Sequence, residues 1–133
     1  MRVMVDTNGL LSALIFPHGV TAQAFFLILK DHSLVLPTYV IAEGERVILK
    51  KFPSFESSFR RFIRSLSFEL ATTPVVLKGD EGLMRDRKDI PILLSALKEN
   101  VDCFVTGDKD FLSLKMVRPE FLTSGEFLQK YGK

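Results

Sequence analysis

Apolar and polar positions follow two periods along this chain. Short apolar runs at Arg2–Asp6, Ser33–Leu36 and Asp102–Thr106 predict buried strands, the first ended by an acid and the second closed by Pro37. Between them the spacing is helical. Gly9 to Phe16 predicts a helix stopped at Pro17-His18-Gly19. Thr21 can cap a second helix through Lys30, with Phe25, Phe26, Ile28 and Leu29 on its buried side. Thr38 opens a third through about Lys51, ended by Pro53. Ser54 can cap a fourth, whose Phe55, Phe59, Phe62, Ile63 and Leu66 form an apolar face.

The second half reads less regularly. Phe68 to Val76 predicts a strand or extended connection, and Lys78 to Lys88 a polar loop. A helix is expected from Asp89 to about Asn100, and a tight turn at Gly107-Asp108. Lys115 to Val117 is expected as a last short strand, and Glu120 to Tyr131 as a terminal helix broken at Gly125. Strands alternating with helices imply right-handed crossovers and a parallel sheet covered on both faces. The expected fold class is therefore α/β, a three-layer α/β/α sandwich, in one domain over residues 1–133.

The acids occupy distinctive positions in this pattern. Asp6 ends the first strand, Asp108 follows Cys103-Phe104-Val105, Asp89 stands at a helix start, and Glu43 lies on a helix. In open parallel sheets the strand C-termini gather on one edge, where ligands bind. Asp6 and Asp108 should project into one crevice, and Asp89 can join them. Two carboxylates about 4 Å apart at an effective dielectric near 20 repel by on the order of 4 kcal/mol. Protons or divalent cations must neutralise such a group. Hard oxygen ligands without nearby His or Cys suit Mg2+ or Mn2+. Such a site can activate water and neutralise charge on a phosphodiester. Each acid also has a local reading: Asp6 and Asp108 as turn residues, Asp89 as an N-cap, Glu43 as a surface charge.

Composition narrows the class. Hydrophobic residues make up 47% of the chain, which suits a packed globule. No run of about 18 apolar residues suggests a membrane span. The lone Cys103 lies in an apolar run, and a single thiol fits a reducing cytoplasm. His18, in a turn, and His32, at a helix end, read as surface residues. The net charge of +2 says little, but its distribution says more. Arg46, Lys50, Lys51, Arg60, Arg61 and Arg64 face only Glu56 between Arg46 and Arg64. That excess marks Arg46, Lys50, Arg60, Arg61 and Arg64 as candidates for holding a polyanion, or as a solvated helix face.

Four segments stand out: Val5-Asp6-Thr7-Asn8, Glu43 on a helix after Pro37, Asp89-x-x-Ile92-Leu93-x-x-Ala96, and Val105-Thr106-Gly107-Asp108-Lys109-Asp110-Phe111. Together they resemble the signature of the PIN-domain family. The tail Met116-Val117-Arg118-Pro119-Glu120-Phe121-Leu122 is similar to the family's closing segment. The resemblance covers nearly the whole chain. It implies a PIN-like fold and a metal-dependent ribonuclease using Mg2+ or Mn2+, often a homodimer. Many small prokaryotic members are VapC-type toxins silenced by an antitoxin protein. By position, Asp6, Glu43, Asp89 and Asp108 would be catalytic, with Asp6, Asp89 and Asp108 as metal ligands. Asp110 would be a supporting acid, and Thr7, Asn8 and Thr106 would orient the carboxylates.

The sequence departs from the family pattern around the second acid. Gly44 follows Glu43 where an apolar residue is usual. Glu45 is a rival for the role, but lies about 200° round the helix from Glu43, so only one can face the site. Asp80 and Asp86 are rivals to Asp89. Two other functions compete. A haloacid dehalogenase-type phosphatase needs a second Asp two residues after its nucleophile, and Asn8 stands there. A catalytically silent PIN-like module that binds RNA or protein is the other.

Overall fold

The computed structural model describes residues 1–132. Its centre is an all-parallel sheet of β1 (Arg2–Val5), β2 (Ser33–Pro37), β3 (Glu69–Ala71), β4 (Cys103–Val105) and β5 (Glu120–Leu122), in the order β3-β2-β1-β4-β5. Val3, Met4 and Val5 are all buried, as are Leu34, Val35 and Leu36. Successive strand side chains point to opposite faces, so helices must cover both. This is the expected α/β sandwich with a parallel sheet.

The helices are α1 (Thr7–Ile15), α2 (Val20–Asp31), α3 (Thr38–Lys51), α4 (Glu56–Ser65), α5 (Ile90–Glu99), the short α6 (Lys109–Leu112) and α7 (Ser124–Tyr131). Their starts follow different caps from some of those expected. Gly19, not Thr21, precedes α2, and no side chain caps it. Ser54 sits inside a 3-10 turn, Pro53–Phe55, ahead of α4. Phe26 faces solvent, while Phe25 and Ile28 are buried.

The clearest correction lies near the C-terminus. Lys115–Val117 is not a strand, and Val117 is fully exposed. The last strand is Glu120–Leu122, inside the stretch expected as helix. Its Phe121 ring lies 5.5 Å from Phe104 and 6.3 Å from Phe111. Burying that aromatic group selects this segment over an equally short apolar neighbour. Helix α7 then starts after Thr123, whose Oγ1 accepts from the Glu126 N–H at 3.1 Å while Glu126 Oε1 accepts from the Thr123 N–H at 2.9 Å. This is a capping box, written in the sequence as Thr123-x-x-Glu126. Gly125 falls in the first turn and does not break the helix.

Strand order fixes where chemistry can collect. The chain runs outward from β1 through β2 to β3, then crosses to the other side of β1 to add β4 and β5. The direction of winding therefore reverses between β1 and β4. The crevice at the C-terminal ends of two such strands is the usual ligand position in open α/β sheets. Asp6 directly follows β1, and Thr106 directly follows β4.

Candidate functional site

Asp6 is the floor of the crevice and is 6% exposed. Its Oδ1 accepts from the Gly9 N–H at 2.8 Å, capping α1, and its Oδ2 accepts from Thr106 Oγ1 at 2.5 Å. A Cβ at position 9 would lie 3.1 Å from Asp6 Oδ1, so glycine lets the helix come this close to the carboxylate. Asp6 is thus a helix cap that also lines the crevice. Burial pushes the Asp6 carboxyl above its ordinary value, partly offset by these two donors. Thr106 also accepts the Asp108 N–H at 3.0 Å, tying the two strand ends together.

Asp108 caps α6 by accepting the Asp110 N–H at 2.8 Å. Asp89 makes no capping bond of its own, and Asp86 serves the nearby turn by accepting the Lys88 N–H at 3.0 Å. The Asp89 carboxylate is therefore left for the crevice. Its pKa rises to about 7, chiefly from burial and then from the charges of Asp108, Asp86, Asp6 and Glu43. Among the described residues none of these five carboxylates is in an ion pair, although Lys88 lines the same crevice.

Glu43 accepts a hydrogen bond from Thr7 Oγ1 and lines the same crevice. Glu45 instead lies 3.8 Å from the Arg60 guanidinium, on another surface. The geometry separates the two glutamates as the helical angle required. The crevice has a volume of about 210 Å³, and Asp6, Glu43, Asp86, Asp89 and Asp108 all line it. Asp80 does not line it, and accepts the Leu77 N–H instead. Asn8 is exposed at the rim.

The tightest set of oxygens differs from the expected metal ligands. One carboxylate oxygen from each of Asp89, Asp108 and Asp110 lies within 4.8 Å of the others. Asp6 is outside that triad, with both oxygens already accepting. Asp110, expected only as a support, is inside it, and its Oδ2 lies 3.3 Å from the exposed Arg85 guanidinium. The Asp108-x-Asp110 spacing across a helix start was the available signal. Three hard oxygen donors, with no His or Cys among them, fit a divalent cation such as Mg2+ or Mn2+. Their mutual repulsion gives a cation something to neutralise.

The basic candidates divide between two surfaces. Arg46 and Lys50 line a groove of about 340 Å³ with Tyr39, Glu43, Val47, Lys51 and Lys88, next to the acidic crevice. Arg60 bonds Glu56 at 2.8 Å and, with Arg64, borders a separate groove floored by Ile41, Phe59 and Ile63. Arg61 is exposed on the same helix. The charge excess read from the sequence is thus not one surface, because α3 and α4 present their cations in different directions.

The family model described as the PIN domain matches residues 2–110. The chain belongs to the PIN-domain family. It is similar to uncharacterized protein MJ1680 of Methanocaldococcus jannaschii, at 25% identity over 118 residues, covering 86% of this chain and 76% of that protein. Its fold is also that of a chain in the crystal structure of VapBC2 from Rickettsia felis bound to a DNA fragment from their promoter. That match has a TM-score of 0.68 at 20% identity and covers 92% of this chain and 97% of the other. Asp6, Glu43, Asp89 and Asp108 line one crevice at the edge of this PIN-domain sheet. The unusual Gly44 has its own cause here: a Cβ would lie 3.1 Å from the Phe59 ring, so α4 occupies the space of the missing side chain.

Proposed function

We infer that this PIN-domain protein is a metal-dependent endoribonuclease acting at the acidic crevice. The observation that carries the reading is the Asp89, Asp108 and Asp110 oxygen triad beside the buried Asp6. Asp89, Asp108 and Asp110 would hold Mg2+ or Mn2+, with Asp6 and Glu43 bordering it. The cation, when bound, supplies charge neutralisation for the attacked phosphodiester and lowers the pKa of water. The protein's own contribution is positional. Thr106 fixes Asp6, Thr7 fixes Glu43, and the Asp110 N–H fixes Asp108. Glu43, which lines the same crevice, would accept the proton of attacking water.

The VapBC2 likeness supports an antitoxin protein as partner; cytoplasmic RNA as substrate and a homodimeric state belong to the same proposal and follow from the PIN-family reading alone. Purified protein should cleave a mixed panel of structured and single-stranded RNAs with Mn2+ or Mg2+, and not with EDTA. Cleavage should vanish in Asp89→Asn and Asp108→Asn. Metal-independent cleavage, or cleavage retained by both variants, would sink the reading. Mn2+ should also raise the melting temperature of the wild type and not of Asp108→Asn. RNA binding with neither cleavage nor metal binding would leave the silent binding module in its place.

A further inference from the structure

The acidic crevice by itself repels a polyanion, so a nucleic-acid substrate needs cations close by. The groove of about 340 Å³ beside it meets that need from one side. It shares Glu43, Val47 and Lys88 with the crevice. Tyr39, Glu43, Arg46, Val47 and Lys50 recur at helical spacing, so one face of α3 forms its wall. Lys88 arrives from a different element, the 3-10 turn Arg87–Asp89 that leads into α5.

Two observations bear on these cations. Arg46, Lys50, Lys51 and Lys88 are all exposed, and none lies within 4.0 Å of a carboxylate in an ion pair among the described residues. Arg61 and Arg64 are unpaired among them too, so what sets the four apart is their place in the groove that shares its lining with the acidic crevice. Further, the Arg46 guanidinium carbon lies over the Tyr39 ring, 5.9 Å from its centroid, a cation–π contact between two residues of the groove lining. Lys50 and Lys51 also sit well at the C-terminal end of α3, but that dipole argument does not reach Arg46 or Lys88.

We propose that Arg46, Lys50, Lys51 and Lys88 form a one-sided phosphate track for a single nucleic-acid strand that enters the acidic crevice past Lys88. The proposal rests on the nuclease reading for what happens in the crevice, not for binding in the groove. Lys88, lining both spaces, holds the phosphate next to the bond presented to the acids, and the α3 cations hold those further along the strand. Arg60, Arg61 and Arg64 lie off the track.

The test is binding of a labelled single-stranded RNA oligonucleotide in EDTA, measured across a KCl series. Arg46→Ala/Lys50→Ala/Lys51→Ala/Lys88→Ala should weaken binding by about tenfold or more and flatten the log–log salt slope by roughly 2 to 3, at about 0.7 per lost contact on single strands. The corresponding arginine changes at Lys50, Lys51 and Lys88 should keep both affinity and slope, which separates lost charge from misfolding. Arg60→Ala/Arg61→Ala/Arg64→Ala should stay within about twofold of wild type. An unchanged slope in the quadruple variant, an equal loss in the α4 triple variant, or no RNA binding by the wild type overturns the track. Binding through the track without cleavage in Mn2+ keeps it and removes the nuclease reading. Cleavage whose KM is indifferent to the quadruple change does the reverse.

Discussion

The two edges of the same sheet treat charge in opposite ways. At the strand N-termini Glu69, Glu99, Asp102 and Glu120 each have a close cationic partner. The Arg2 guanidinium reaches Glu69 at 3.0 Å and Glu99 at 2.9 Å. Asp102 accepts the Arg2 N–H at 2.8 Å and lies 2.7 Å from the Arg118 guanidinium. Glu120 takes Lys130 and the Tyr131 hydroxyl, and its pKa falls through those bonds. At the C-terminal edge the donors to Asp6, Glu43 and Asp108 are neutral amides and hydroxyls. There burial and neighbouring acids push Asp89 up to about 7. The first edge is neutralised by the fold and needs nothing more. The second keeps uncompensated charge, which a bound cation can balance.

Substitutions at the two edges should therefore separate activity from stability. The largest effect is expected for Asp108→Asn. Loss of several kcal/mol of charge stabilisation corresponds to roughly a 10³-fold fall in cleavage rate, since about 1.4 kcal/mol is tenfold. Its metal-free melting temperature should stay equal or rise, because a repelling charge is removed. A clear fall in metal-free stability would mean that the acid is structural. Gly44→Leu, which forces a side chain into the Phe59 ring, should cost about 1–3 kcal/mol by overpacking, read from urea unfolding. No loss would mean that α3 and α4 part easily at that point. Arg2→Met should lower stability by about 1 kcal/mol and leave cleavage unchanged, because its partners are partly exposed. An activity loss there without unfolding would break the separation of the two edges.

A further expected effect is a pH dependence. The folded-state pKa of Asp89, about 7, lies above its ordinary value of 3.8. Between those values the native state holds more of this proton than the unfolded chain does. Stability from this group is thus fullest near pH 4 and falls as the pH rises towards 7. Metal-free thermal melts across that range should show the decline, and Asp89→Asn should reduce it. Saturating Mn2+ should reverse the trend, since the cation binds the ionised carboxylates. A metal-free profile identical in wild type and Asp89→Asn would show that the crevice is better solvated than its geometry indicates.

The sequence by itself determined the alternation of strands and helices, the parallel sheet, and the placement of Asp6 and Asp108 at strand ends. Those features follow from local periodicity and from apolar runs ended by an acid, which neighbouring residues suffice to specify. Helix periodicity also put Glu43 and Glu45 on different faces, but not which face met the crevice. Tertiary packing alone decided that, together with three other matters. Phe121 stacking on Phe104 and Phe111 chose β5 over Lys115–Val117. The start of α6 brought Asp110 to Asp89 and Asp108. The different directions of α3 and α4 split one run of basic residues into a groove beside the acids and a patch partly paired away from them. Each depends on contacts between segments distant in the chain, and the energy of such contacts is set by shape and burial that no local pattern encodes.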